Sequence, residues 1–382
     1  MDFKLDRSKK YALALEGGGG RGAYEIGAWK ALHEEGIEFC AVSGTSVGAI
    51  NGAAVTAGDL DTAIRFWENL TYSQVMEVDD SVMKKLISLD ILKMDLRDTA
   101  KTLTETLRNR GFDISPLKVT LQQAIDEKAV LESDIDFYIV TFLIDEMKEL
   151  VVRAGDLAQG ELYDMLLASA YLPVFRSEKL GGKRYFDGGI YNRLPISALT
   201  DNGYKDIIAV ELNSIGPIQK YDIPGVEVHT IKPVADIGRL MQFDPELSAR
   251  NLKLGYFDAK KMMYGLSGIN YYIDRQMTES EAYSLLVRFT KEYWASTGAP
   301  VTDRNVNEKL LPALASRVKA SKGDYYDIFI GALEHAANSA GIDPFVICTE
   351  RELLTKVLKV YDPASGNIPK TLIRTLPSLQ LR

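Results

Sequence analysis

The sequence predicts an α/β fold, a parallel sheet covered by helices, with a helical module at the C-terminal end. Three observations carry this. The first 57 residues read strand, helix, strand, helix, an order that joins parallel strands through helices. The run DFYIVTFLID at 136–145 is apolar almost throughout, as a strand covered on both faces requires. After about residue 273 the pattern turns helical and the charge balance shifts. Residues 275–382 carry 14 Lys/Arg against 12 Asp/Glu, whereas the preceding 274 residues carry 31 against 41.

Taken in order, Tyr11 to Leu15 is a short buried strand, interrupted by Gly17 to Gly22. Ala23 to Glu35 has helical spacing, with Ile26, Trp29, Lys30 and His33 on neighbouring turns and Gly36 as the stop. Ile37 to Val42 is a second strand, Ser43 to Ser46 a turn of small residues, and Val47 to Ala57 a helix. Residues 59–130 are mostly helical, and Met83, Leu86, Ile87, Ile91, Leu92 and Met94 form an apolar stripe suited to a lid, a lipid-facing surface or an ordinary core face. The DFYIVTFLID strand is expected at the centre of the sheet. Leu162 to Tyr171 is a helix stopped by Pro173, Lys183 to Phe186 a short strand, and Ile207 to Leu212 and Val226 to Ile231 two more. Thr278-x-x-Glu281 and Thr349-x-x-Glu352 are capping boxes that open helices. The expected division is 8–273 for the α/β domain and 274–382 for the helical module, with a loose tail from 363.

Composition narrows the function. Of 382 residues, 46% are hydrophobic and 26% charged, an ordinary globular balance. A net charge of −8 argues against nucleic acid as a partner and against electrostatic docking on anionic lipid. Two cysteines, Cys40 and Cys348, make no disulfide scaffold and suit a reducing compartment. No apolar run is long enough to span a bilayer or to serve as a secretory signal, so a cytoplasmic protein is expected. No His/Cys/Asp cluster has metal-ligand spacing, and neither a metal nor a cofactor is expected.

Three short motifs are able to carry chemistry. GTSVG at 44–48 fits a nucleophile elbow, in which a serine sits at the apex of a sharp strand-to-helix turn beside free helix N–H groups. The competing reading is a plain turn in which Ser46 caps the next helix. EGGGGRG at 16–22 contains Gly17-x-Gly19-x-x-Gly22, a dinucleotide fingerprint, but the acidic residue expected about 20 positions on is missing where Cys40 to Ser43 stand. The same glycines also suit a tight turn, or an oxyanion cradle of the Gly18, Gly19 and Gly20 N–H groups. Arg21 has three readings: an ion pair with Glu16, orientation of the loop, or contact with a substrate phosphate. For a base, the chain offers only His33, His229 and His335, of which His229 alone has a suitable chain order, and Asp187, at the end of a strand before Gly188-Gly189. Asp187 is the better candidate, although a carboxylate needs burial to raise its pKa for this task. Taken alone, the DGG reads first as a hairpin or Asx turn.

In this order, EGGGGRG, GTSVG and DGG resemble the motifs of the patatin-like phospholipase family. DISPLKVTLQQAID near 113–126 and LASAYLPVFRSEKLGGKRYFDGGIYNRLP at 167–195 are similar too, so the resemblance covers about residues 10–230. It departs at Glu16, where the family's glycine motif usually begins with Asp. The resemblance implies a three-layer α/β/α sandwich and a serine acyl hydrolase without a catalytic histidine. Ser46 would be the nucleophile and Asp187 the base, with an oxyanion hole formed by the glycine loop (Gly18, Gly19, Gly20, Arg21) and the Val47 N–H. Acyl lipids would be the substrates, met by transient contact with a membrane surface or micelle. The alternative is a non-catalytic protein whose glycine loop holds a nucleotide phosphate while its helical module docks a partner.

Overall fold

The computed structural model describes residues 2–80, 83, 111–176, 179–220, 223–296, 302–321 and 323–360. The stripe after Met83 and the tail from 363 lie outside the described residues. Two compact units are present, Leu5–Met262 and Met263–Arg382, the second together with Met1–Lys4.

The first unit is built on a seven-stranded sheet. Its strands are β1 (Lys10–Leu15), β2 (Glu38–Thr45), β3 (Asp136–Leu143), β4 (Lys148–Arg153), β5 (Tyr185–Asp187), β6 (Asp206–Val210) and β7 (Glu227–Ile231). The order is β4-β3-β2-β1-β6-β7, with β5 also paired to β3. Pairs β1/β2, β1/β6, β2/β3 and β6/β7 are parallel, while β4 and β5 run antiparallel to β3. The sheet is therefore mostly parallel, and its inner strands are buried runs such as ALAL and IIAV.

Alternation divides the side chains between two layers of helices. Ala12, Ala14, Ala41, Tyr138, Val140, Ile207 and Ala209 share one face, packed with Leu194, Ile196 and Leu199 from the segment around helix Ile196–Thr200. The intervening residues Val42 and Phe137 face α2 (Val47–Ala57), whose Gly52 lies so close that a Cβ there would meet both. Helices α1 (Ala23–Glu34), α2 and α3 (Leu60–Asn69) belong to this part of the unit. The architecture is a three-layer α/β/α arrangement around a mostly parallel sheet, as the sequence predicts.

Three details differ from the sequence reading. Strand β2 continues through Ser43 and Gly44 to Thr45, so the turn narrows to Ser46. The apolar β3 is not central: the antiparallel β4, which the sequence reading lacks, flanks it at the sheet edge. The short strand before Gly188 runs Tyr185–Asp187 and so includes the aspartate.

The second unit has its own core around helices Glu279–Ser296, Leu311–Val318, Tyr325–Ser339 and Glu350–Val360. A parallel pair, β8 (Tyr272–Asp274) and β9 (Ile347–Thr349), accompanies them. Both capping boxes form. Thr278 Oγ1 accepts from the Glu281 N–H at 3.2 Å while Glu281 accepts from the Thr278 N–H at 2.8 Å. Thr349 and Glu352 repeat the exchange at 3.3 and 2.8 Å. Buried Glu334 accepts the N–H groups of Ile269, Asn270 and Tyr271, which fixes the turn into β8.

Candidate active site

The register of β3 brings two chain ends together. Its first half pairs with β2, placing Thr45 opposite Val140. On the same side, its next residue Thr141 lies opposite Asp187 of β5. Since β2 is parallel to β3 and β5 antiparallel, both strands run out toward this point. Ser46, one residue beyond β2, therefore arrives next to Asp187 at the end of β5.

Ser46 is the apex of a strained turn. It has φ 58° and ψ −125° and is the N-cap of α2. A non-glycine residue in this region is costly and is held there by its surroundings. Flanking glycines make the turn possible: a Cβ on Gly44 would lie 2.2 Å from the Gly48 carbonyl oxygen, and one on Gly48 would lie 2.4 Å from that of Leu15. The Ser46 N–H donates to Ser169 Oγ at 2.8 Å, and the Ser169 hydroxyl in turn donates to the Val140 carbonyl at 2.6 Å. Ser169 thus ties the elbow to β3.

Asp187 is 4% exposed and Ser46 5%. The Asp187 carboxylate accepts from the Gly189 N–H at 2.7 Å, and its own N–H donates to the Tyr171 carbonyl at 2.8 Å. Burial pushes its carboxyl up to about 6, opposed by the Ser46 hydroxyl and the Gly189 N–H, which favour the charged form.

Ser46 lies where two cavities meet. One, lined by Gly18, Arg21, Asp187, Arg193 and Ser214 together with Leu172, Ile190, Ile215 and Leu240, is the more polar of the two. The other is walled by apolar groups that include Val47, Ile50, Trp67, Leu117, Phe175 and Phe243. Leu172 borders both. None of the three histidines lines either cavity. His229 lies in β7 beside Glu227 at 3.4 Å, His33 is exposed in α1, and His335 belongs to the second unit.

The glycine loop packs against backbone. Gly19 has φ 55°, and a Cβ there would meet the Leu240 carbonyl oxygen at 2.1 Å. The Gly20 N–H, expected among the oxyanion donors, donates to that same Leu240 carbonyl at 2.7 Å, and Gly20 lines neither cavity. Gly18 lines the polar cavity and Gly19 the apolar one, and the Gly18, Gly19 and Val47 N–H groups meet no protein acceptor among the described residues. Arg21 does not pair with Glu16. Its guanidinium donates to the carbonyls of Gly238 at 2.8 Å and Leu212 at 3.5 Å, which steadies the loop. Glu16 pairs instead with Arg193 and accepts the N–H groups of Leu212 and Ser214. Burial raises its carboxyl despite these donors. Arg193 also donates to the Gly216 carbonyl at 3.0 Å, and its own carbonyl accepts the Gly17 N–H at 2.8 Å, which links the segment after the DGG turn to the glycine loop.

Sequence reasoning missed Ser169, Arg193 and a buried cluster of Glu25, Asn51 and Trp67. Arg193 lies 177 positions from Glu16, and no spacing rule announces such a pair. Among the described residues no group of His, Cys, Asp and Glu has the arrangement of a metal site.

Residues 13–200 match the family model for patatin-like phospholipase. Patatin-like phospholipase domain-containing protein 7 of Rattus norvegicus is 28% identical over 205 residues, 53% of this chain and 14% of that protein. An uncharacterized NTE family protein of Mycobacterium bovis is 26% identical over 207 residues, 54% of this chain and 50% of that protein. The matched stretch thus spans half or less of these relatives. Among solved structures, VipD from Legionella pneumophila aligns over 98% of this chain and 92% of its own, with 14% identity and a TM-score of 0.42. The glycine loop, the serine elbow and the strand-end aspartate all fall within the matched stretch, and residues 13–200 of this chain form a domain of the patatin-like phospholipase family.

Proposed function

We propose that the protein is a serine acyl hydrolase acting on acyl esters of lipids, with Ser46 as nucleophile and Asp187 as base. The observation that carries this reading is the convergence of β2 and β5 on β3. It sets a strained, exposed-to-cavity serine beside a buried carboxyl raised to about 6. A carboxyl with that pKa is ionised at neutral pH yet basic enough to take a hydroxyl proton during attack.

In this mechanism Ser46 Oγ attacks the ester carbonyl while Asp187 accepts the hydroxyl proton. The tetrahedral oxyanion is met by the Gly18, Gly19 and Val47 N–H groups, the last with the dipole of α2 behind it. Collapse breaks the bond to the alcohol, which leaves with the proton from Asp187. Water then attacks the acyl-enzyme, again giving its proton to Asp187, and the acid departs as Ser46 regains its hydrogen. The apolar cavity suits an acyl chain, and the polar one the alcohol portion of the ester. Exposed Ile190, Ile215 and Leu240 border the polar cavity and suit contact with a lipid aggregate.

Hydrolysis of a short-chain nitrophenyl ester by wild type, Ser46→Ala and Asp187→Asn tests the assignment. Each variant is expected to lose at least ~10³-fold in kcat. Equal rates in all three proteins refute it.

A further inference from the structure

The apolar cavity next to Ser46 is lined in part by one large, immobilised side chain. Trp67 of α3 is buried and contributes its ring to the cavity wall. It stands close to the nucleophile: a Cβ on Gly22 would lie 2.5 Å from both the Trp67 ring and a Val47 methyl, so ring and methyl are neighbours. The indole is also fixed in orientation. Its Nε1–H donates to Asn51 Oδ1 at 2.9 Å, while Asn51 Nδ2 donates to the Gly22 carbonyl at 2.9 Å and to Glu25 Oε2 at 2.7 Å. Two acceptors on its nitrogen leave Asn51 one way to point its amide, with the oxygen toward the indole. Three helices, α1, α2 and α3, therefore hold the ring through one buried polar cluster.

Most other side chains of the cavity wall, Ile50, Leu117, Phe175 and Phe243 among them, are aliphatic or phenyl groups with no polar atom to tether them. From this we infer that Trp67 is a specificity-determining wall of the acyl site, and that its indole limits the length of acyl chain the protein accepts. A rigid wall rejects an added methylene, because neither the ring nor the backbone behind it yields at small cost. The inference rests on the proposed ester hydrolysis at Ser46 and adds the substrate dimension that governs it.

The test is a series of nitrophenyl esters from acetate through butyrate, octanoate and dodecanoate to palmitate, hydrolysed by wild type, Trp67→Leu and Trp67→Phe. The quantity read is kcat/KM for each long ester divided by that for butyrate, which cancels any common loss of activity or of folded protein. Trp67→Leu is expected to move the optimum to longer chains, raising the ratio at least about 10-fold for the first length that wild type rejects. Trp67→Phe, smaller than Trp but ring-filled, is expected to fall between the two, and it remains informative where the leucine variant folds poorly. A parallel series of alkyl fluorophosphonates of increasing length, read as labelling rate at Ser46, is expected to shift in the same direction without turnover. Superimposable length profiles in the three proteins overturn the inference and leave the hydrolase reading intact. Absence of Ser46-dependent turnover in wild type overturns both.

Discussion

At the scale of single residues, burial decides the chemistry. Asp187 is placed where water cannot solvate its charge well, and its carboxyl rises from 3.8 to about 6. On the proposed mechanism only the ionised form accepts the Ser46 proton. The rate on a soluble ester should therefore climb with pH through about 6 and level off above it. A profile flat from pH 5 to 8 at constant folded fraction contradicts the role of Asp187. The same shift has a cost in stability. Between the unfolded value and about 6 the folded chain keeps a proton that the unfolded chain has lost, so stability falls as pH rises across that window. Asp187→Asn removes this penalty. It should melt at a higher temperature than wild type at pH 7, with the difference shrinking toward pH 4, while losing the activity that the proposed mechanism assigns to Asp187. Glu25 follows the same sign: burial, first among its causes, raises its carboxyl well above the usual range, and its Oε1 has no hydrogen-bond partner. Thermal melts of Glu25→Gln across the same pH range should be flatter than those of wild type.

At the scale of elements, the site is a consequence of how strands end. β2 and β5 approach one side of β3 from opposite directions, and their last residues deliver the serine and the aspartate. Ser169, on helix Leu162–Ser169, secures that junction by accepting from Ser46 and donating to Val140. Ser169→Ala leaves a buried N–H and a buried carbonyl without partners, a loss of about 1–3 kcal/mol. The strained elbow should relax as well. The expected result is a lower Tm together with a kcat that falls more than KM rises, and unchanged kinetics would show that the elbow holds without this tether. Arg193→Met strands Glu16 in the interior without its cation and should destabilise the unit by about 3–5 kcal/mol, measured by urea unfolding. Much of this level was legible in the sequence. The apolar runs of β1 and β3 and the glycines around Ser46 each leave a local signature, and so do both capping boxes. β4 was not legible, because KELVVR at a sheet edge has only intermediate and exposed positions and no run of buried apolar residues. Nor was the true place of β3, whose apolar run reflects coverage by helices on both faces and says nothing of its rank in the sheet. The sequence makes the turn at 43–46 too wide because Ser43 is a common turn residue and Gly44 a poor strand former, and pairing with β1 and β3 overrides those preferences.

At the scale of the whole molecule, every described residue that lines the two cavities beside Ser46 belongs to the unit Leu5–Met262. A chain of residues 5–264, which keeps helix Pro245–Tyr264 whole, should therefore hydrolyse soluble short esters as the full chain does. Loss of that activity in a shortened chain with native circular dichroism assigns the second unit a part in the reaction. The motifs at 16–22, 44–48 and 187–189 made the family legible. The contacts between them were not, since Gly20 with Leu240 and Glu16 with Arg193 arise only once distant loops pack. The central claim is that one hydroxyl, that of Ser46, becomes acylated. Mass spectrometry of the intact protein after treatment with a fluorophosphonate tests this most directly. The account predicts a single adduct that maps to the Ser46 peptide and disappears in Ser46→Ala, whereas an adduct on another residue, or none on folded wild-type protein, contradicts it.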